Sequence, residues 1–260
     1  MWSCSLWALL PPLYSAFTAA GLWVVYFVAL SEGRIVPLGA KYKRGNGSQY
    51  PPFISIAGNF PPASCIFSEV MNLSAFVGFI LAVLRYLQVK NKMGKQWLNV
   101  GCLVAFCVAC FGMTLVGNFQ VFTKEMIHNF GTFMTFGLGA AFCWVQSYIT
   151  LRVNLHNEGK KVAVVRFLLS GFITVCVVLY FSLLGLRLYM PAAQSQWALV
   201  MLFLAFLGTF AIEFRHSHFE ITCTDGSRRP LFCSRSIKWS SESDDRVALR
   251  KSDSIHVKAS

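Results

Sequence analysis

The chain has 260 residues, of which 55% are hydrophobic and only 13% are charged. Soluble domains carry about 25% charged residues, so this deficit excludes an ordinary soluble domain and indicates a membrane protein. The formal net charge of +12 is also found in nucleic-acid-binding proteins, but here the basic residues flank apolar segments. That distribution follows the positive-inside rule of membrane proteins, and we predict no nucleic-acid partner.

The first 31 residues contain no charged residue, and residues 11–30 are long enough to form the first membrane span. Pro11 and Pro12 suit the first turn of a helix. A cleaved signal peptide is the alternative interpretation. Such a peptide would begin with basic residues and have a shorter apolar stretch, so we expect a retained helix, followed by an outer loop over residues 31–64.

The outer loop carries an N-glycosylation acceptor triplet at residues 46–48, with Asn46 as the acceptor. Proline pairs at residues 51–52 and 61–62 fix the backbone and favour extended geometry in the residues before them. We therefore expect a stiff loop. Ser64 is the predicted N-terminal cap of the helix that follows.

Charge-poor segments further along the chain predict five more spans. They are residues 65–84, 97–118, 128–151, 167–186 and 192–212. The predicted fold class is therefore all-α, a polytopic membrane protein with a bundle of six transmembrane helices over residues 1–212. Residues 213–260 are rich in Ser, Arg and Asp and lack an apolar period, which predicts a disordered tail.

The basic residues of the four short loops give the bundle its orientation. One side carries eight of them: Arg85, Lys90, Lys92, Lys95, Arg152, Lys160, Lys161 and Arg166. The other side carries two, Lys124 and Arg187. Because the more basic side faces the cytoplasm, both termini are predicted to be cytoplasmic, and Asn46 lies on the side where glycosylation occurs.

Five polar residues near the outer ends of the spans are candidates for a pore or for packing. Glu69, about one turn inside the second span, is the only acidic residue predicted within a span, and a pore-mouth role competes with capping of its own helix. Asn72 lies on the same helix. Asn118 and Gln120 end the third span and His128 opens the fourth, so they either fix this hairpin by hydrogen bonds or form a polar vestibule. His128 is also a candidate pH sensor.

Small residues predict where helices approach each other closely. They recur every four positions in the third span, at Gly101, Ala105 and Ala109. The fourth span has a similar set, Gly131, Gly137, Gly139 and Ala141. We therefore expect both helices to pack through these faces.

The tail offers candidate modification sites next to the membrane. Cys223 and Cys233 are candidates for palmitoylation, and Ser240, Ser241 and Ser243 lie near acidic residues and are candidates for phosphorylation. Interleaved basic and aromatic residues suit contact with anionic inner-leaflet lipid; the alternative is a solvated tail. The sequence contains no HExxH, HxxxH or GxSxG motif, and we predict no enzymatic activity, no metal and no cofactor.

One stretch resembles a known family. The segment YPPFISIAGNFPPASCIFSEVMNLSAFVGF at residues 50–79 is similar to the hallmark loop and second span of the Frag1/DRAM/Sfk1 family of six-span membrane proteins. Four later segments resemble a subtype of the transmembrane protein 150 group within that family. They are GMTLVGNFQ (112–120), IHNFGTFMTFG (127–137), CVVLY (176–180) and EFRH (213–216). The resemblance covers residues 13–223.

The resemblance implies a component or modulator of a mechanically activated, slowly inactivating, non-selective cation channel at the plasma membrane. Its implied partners are the lipid bilayer, further copies of the chain or another mechanosensitive channel. The family also implies an alternative, a non-channel adaptor that modulates autophagy at lysosomal or endosomal membranes or recruits a phosphatidylinositol 4-kinase complex. The residues themselves show neither a filter sequence nor a ladder of charges.

Overall fold

The computed structural model describes residues 5–42, 49–155, 158–217 and 219. These residues form helices α1 (Leu10–Ser31), α2 (Ile54–Ala57), α3 (Ala63–Val89), α4 (Gln96–Asn118), α5 (Glu125–Phe133), α6 (Gly139–Val153), α7 (Gly159–Gly185), α8 (Tyr189–Gly208) and α9 (Ala211–Phe214). A 3-10 helix, Leu6–Leu9, leads into α1, and a π-helix, Met134–Leu138, joins α5 directly to α6.

Five helical stretches in the described part of the chain are long and apolar enough to span a membrane. They are Leu6–Ser31, Ala63–Val89, Gln96–Asn118, Gly159–Gly185 and Tyr189–Phe214. The α5, π-helix and α6 segments add a continuous helical run whose individual pieces are shorter. The architecture is that of an all-helical, multi-pass membrane protein.

The long helices form a closed ring. α1 packs against α3, α3 against α4, and α4 against α5 and α6; α6 packs against α7, α7 against α8, and α8 returns to α1. If the continuous run from α5 to α6 is counted as one element, each helix has two neighbours and presents one side to the interior of the ring. The large apolar side chains that face outward, such as Phe76, Val104 and Phe172, are exposed, as lipid contact requires.

The interior is filled differently in its two halves. One half holds a stack of buried aromatic side chains, with the rings of Phe106 and Phe142 centred 4.2 Å apart and Phe206 and Phe210 packed beyond them. The other half contains a cavity with about 80 Å³ of free volume. Its lining comes from every helix of the ring and is mainly apolar, with Phe67 and Leu199 among its members.

The outer loop is bonded to side chains of α1 and α8 that lie one to two turns inside these helices. The Trp197 indole donates to the Pro52 carbonyl at 2.9 Å, and the Gln196 side-chain oxygen accepts from the Ile54 backbone N–H at 2.9 Å. The Tyr26 hydroxyl accepts from the Leu38 N–H at 2.9 Å. These bonds agree with a stiff loop, because its backbone is held at three separate places.

The predicted cap of α3 is wrong. The helix begins at Ala63, directly after Pro62, and no side chain caps it. Ser64 lies inside the first turn, is buried, and donates its backbone N–H to the Phe60 carbonyl at 2.9 Å. The Phe60 carbonyl, in the preceding turn of the loop, therefore takes the place of a capping side chain as the hydrogen-bond acceptor.

The predicted small-residue faces are only partly correct. Gly101 is exposed and Gly137 is half-buried, and a Cβ built on either one would meet nothing within 4 Å. Close approach occurs on the same face of α4 but about three turns further along, where α4 crosses α5. A Cβ on Gly112 would lie 2.8 Å from the Gly131 carbonyl oxygen, and a Cβ on Gly131 would lie 2.8 Å from that of Gly112.

Candidate functional site: a buried charge cluster at the basic end of the ring

One end of the ring carries most of the exposed cations. They are Lys90, Lys92, Lys95, Arg152, Lys160 and Lys161, and we call this the basic end. Three charged residues are buried just inside it. Arg85 lies near the end of α3, Arg166 near the start of α7 and Glu213 in α9, with exposed fractions of 1%, 0% and 4%.

The carboxylate of Glu213 joins two helices through two ion pairs. One oxygen lies 2.9 Å from Nη2 of Arg85, and the other lies 2.6 Å from Nη2 of Arg166. Each guanidinium group belongs to a different long helix, so the pairs tie α3, α7 and the end of the last span together. We call Arg85, Arg166 and Glu213 the charge cluster.

Neutral side chains accept three further hydrogen bonds from Arg85. Its Nε donates to Gln146 Oε1 at 3.1 Å, its Nη1 to Gln88 Oε1 at 2.6 Å, and its Nη2 to Thr150 Oγ1 at 3.2 Å. Gln88 in turn donates to the Glu213 carbonyl at 3.0 Å. Gln146, in α6, also donates its amide N–H to Cys102 Sγ at 3.3 Å.

Arg166 is held in a similar way. Its Nε donates to Thr209 Oγ1 at 2.9 Å, and its Nη1 donates to Thr150. The Phe210 ring lies beneath the guanidinium group, 4.4 Å from its Cζ atom. A ring face attracts a cation, so the aromatic stack and the charge cluster form one continuous plug at the basic end.

Among the described residues, the charge cluster holds two cations and one carboxylate. The excess positive charge is offset by the amide and hydroxyl oxygens of Gln88, Gln146 and Thr150 and by the Phe210 ring. Buried charges inside membrane spans are costly and usually functional. The arrangement is chemically suited to holding helices together electrostatically, since its donors and acceptors are already engaged with each other.

The prediction that Glu69 is the only acidic residue within a span is wrong, because Glu213 lies within the stretch Tyr189–Phe214. Glu69 itself is exposed on the second turn of α3 and is not among the residues that line the cavity. The structure therefore separates the candidate pore carboxylate from the cavity inside the ring.

The polar residues predicted at the outer ends of the spans form hydrogen bonds, but some of their partners differ from the predicted ones. Asn72 and Asn118 exchange amide hydrogen bonds of 3.1 and 3.0 Å between α3 and α4, and Ser68 donates to Asn118 at 2.8 Å. Asn118 thus bonds to the second span and not across the hairpin to the fourth. This triad fixes α3 against α4.

The hairpin between α4 and α5 is fixed by His128. This side chain is buried, and its Nδ1 lies 2.7 Å from the Phe119 carbonyl oxygen. Gln120 contributes its backbone carbonyl, which accepts from the N–H groups of Thr123 and Lys124. Of the two alternatives for these residues, the geometry favours structural fixing over a vestibule.

Several predicted sites lie outside the described residues. They are Asn46, Cys223, Cys233, Ser240, Ser241 and Ser243. Cys65, Cys102, Cys107, Cys110, Cys143 and Cys176 are free thiols, and Cys107 and Cys110 have CxxC spacing along α4.

Sequence reasoning missed the charge cluster because it assigned each member to a loop or tail. Arg85 and Arg166 are among the eight basic residues predicted on the cytoplasmic side, and Glu213 is the first residue of the predicted tail. If the two buried arginines are left out, the short loops carry six basic residues on one side and two on the other. The predicted orientation of the bundle is therefore unchanged. The apolar positions that continue beyond Arg85 to Val89 were the available signal that the helix does not end there.

These features define a multi-pass α-helical membrane protein whose ring of helices is tied by buried ion pairs at one end. The chain belongs to the family described as Frag1/DRAM/Sfk1/Cwh43P N-terminal domain, whose model matches residues 6–217. The matched range includes the whole charge cluster.

Relatives match over most of their length. The chain is 33% identical to "Modulator of macroautophagy TMEM150B" of Danio rerio over 220 residues, 85% of this chain and 89% of the relative. It is 30% identical to the Homo sapiens protein of the same name (80% and 85%) and 30% identical to "Transmembrane protein 150A" of Xenopus laevis (80% and 83%). No solved structure matches the chain.

Proposed function

We propose that this protein is a membrane-embedded modulator of macroautophagy that acts as an adaptor and not as an enzyme. The observation that carries the proposal is the similarity, over at least four-fifths of the chain, to proteins named modulators of macroautophagy. The proposed location is a lysosomal or endosomal membrane, with the plasma membrane as a second pool.

The interior of the ring supports an adaptor over an autonomous pore. The cavity is lined mainly by apolar groups, and the aromatic stack and the charge cluster fill the basic end. Ions cross a membrane along polar or hydrated paths. A single ring in this conformation offers an apolar cavity followed by a plug of interlocked side chains.

We further propose six spans with both termini in the cytoplasm. The continuous helical run from Glu125 to Val153 closes the ring between α4 and α7, which supports its assignment as the sixth span. The exposed cations at the basic end support the orientation. A glycan on Asn46 that is lost in Asn46→Gln would support it too, whereas a glycan attached to an acceptor engineered near Lys92 would overturn it.

The proposal is tested by autophagic flux in cells depleted of the protein. Flux is measured as turnover of an autophagosome membrane marker with and without lysosomal inhibition. We expect depletion to change flux and re-expression of the wild-type chain at matched abundance to restore it. Unchanged flux in depleted cells, with depletion verified by immunoblot, would overturn the proposal.

A second candidate is a modulator of a mechanically activated, slowly inactivating cation channel at the plasma membrane, alone, as a homo-oligomer, or with another channel. The supporting observation is the close Gly112–Gly131 crossing beside the π-helix and the cavity. Such a junction is suited to shifting when tension changes bilayer thickness. The test is to record from purified protein in liposomes under membrane stretch. A stretch-activated current that Glu69→Gln alters would support an autonomous channel. If no current is recorded, the chain would act instead by modulating a partner channel.

A further inference from the structure

A second opening lies at the basic end, separate from the charge cluster. It is a cleft of about 260 Å³ between the α3–α4 connection and the end of α6. Lys92 and Lys95 line it from the connection, and Arg152 lines it from α6. Met93 and Tyr148 complete its walls, and the Arg152 guanidinium lies 5.7 Å from the centre of the Tyr148 ring.

The charge inside the cleft is positive and unbalanced among the residues that line it. The seven lining residues, all in the described part of the chain, include three cations and no carboxylate. The carboxylate of Glu158, in the next connection, is paired with Arg215 instead. Three cations around one concave surface repel each other, so an anion that enters would relieve that repulsion.

The depth of the cleft along the bundle matches lipid headgroups. Lys92 and Lys95 follow the end of α3, and Arg152 is the next-to-last residue of α6. Trp97, on the first turn of α4, is 68% exposed, and exposed tryptophans at helix ends mark the membrane–water interface. The cations therefore lie where phosphate groups of the bilayer are found.

We propose that this cleft binds the phosphate-bearing headgroup of an anionic membrane lipid, with a phosphoinositide as the best match. A phosphate monoester carries more than one negative charge and several acceptor oxygens, which can engage Lys92, Lys95 and Arg152 together. Basic pockets between membrane helices bind such headgroups in other proteins. A serine headgroup offers fewer phosphate oxygens and less charge to the same three cations.

The test uses purified full-length protein and native mass spectrometry with equimolar phosphatidylcholine, phosphatidylserine and phosphatidylinositol 4-phosphate. We expect preferential retention of the phosphoinositide. Lys95→Gln/Arg152→Gln should reduce that retention on the order of 10-fold. Lys160→Gln/Lys161→Gln removes the same charge from exposed positions at the same end but outside the cleft, and should change it less than about 2-fold.

Further arms identify the source of the ligand and guard against misfolding. Equal losses in both double variants would overturn the cleft in favour of diffuse attraction, and retention without phosphoinositide preference would also overturn it. Soluble inositol 1,4-bisphosphate is added as a competitor. If it binds as tightly as the lipid does, the phosphate site is supported but its ligand is a soluble phosphate compound and not the lipid. All variants must elute as the wild type does on size exclusion. Because binding is measured on isolated protein, its failure is distinct from failure of the autophagy proposal.

Discussion

Glu213→Gln should destabilise the ring strongly, because one carboxylate balances two buried guanidinium groups. The substitution keeps the shape of the side chain but leaves Arg85 and Arg166 buried without a counter-charge, at contacts that are 2.9 and 2.6 Å long in the native protein. Removing one partner of a buried pair costs about 3–5 kcal/mol. For a chain of this size, that corresponds to a fall in Tm on the order of 10 °C.

Glu158→Gln is the matched control. Glu158 also pairs with an arginine at the basic end, but its side chain is 42% exposed. Exposed pairs contribute about 0–1 kcal/mol, so its Tm should fall by a few degrees at most. Both variants would be purified in the same detergent and unfolded by heating, with intrinsic tryptophan fluorescence as the readout. Equal Tm changes in the two variants would refute the reasoning.

The charge balance of the cluster also predicts which of two variants is the more stable. Arg166→Gln leaves Arg85 and Glu213 as a neutral pair, whereas Glu213→Gln leaves two like charges facing each other. The arginine variant should therefore be the more stable of the two in the same unfolding assay. If it is the less stable one, then the packing and hydrogen bonds of Arg166, and not charge, determine the stability of this end.

Three further predictions concern the helix contacts and the outer loop, all measured as Tm in that assay. Gly131→Ala places a Cβ 2.8 Å from a backbone oxygen of α4 and should cost about 1–3 kcal/mol; Gly101→Ala, with nothing within 4 Å, should leave the Tm unchanged or raise it. Asn118→Leu should lower the free energy of unfolding by about 1 kcal/mol. Adding Asn72→Leu to that variant should lower it little further, because the two residues share the same hydrogen bonds. Fully additive losses in the double variant would contradict the pairing. Trp197→Phe removes the bond to Pro52, should cost about 1 kcal/mol and should speed proteolysis of the outer loop, whereas an unchanged cleavage rate would argue against this attachment.

The positions of the long apolar helices could be predicted because apolar length is a one-dimensional property of the sequence. Five of the predicted spans coincide with helical stretches long enough to cross a membrane, and the remaining one falls on the run from Glu125 to Val153. The π-helix within that run was not predictable. The π-helix packs against α4, and hydropathy does not record such contacts between segments.

The charge cluster could not be predicted because its members are far apart in sequence and each is typical of a membrane boundary. An arginine at the end of an apolar run normally anchors a helix at the interface. Arg85 and Arg166 depart from that norm, since both are buried and Glu213 forms an ion pair with each of them. Likewise, the four-residue spacing at Gly101 predicts a packing face, but it does not say whether that face meets another helix or lipid.

The two ends of this ring are both cross-linked by polar bonds, and the space between them is partly empty. Outer-loop bonds to Gln196 and Trp197 restrain one rim, and the ion pairs of Glu213 restrain the other. The ring should therefore be most compressible sideways between the two rims, around the cavity and the π-helix. Lateral pressure from the surrounding acyl chains would reduce the cross-section of the ring between its two rims, while the cross-section at each rim would stay nearly constant.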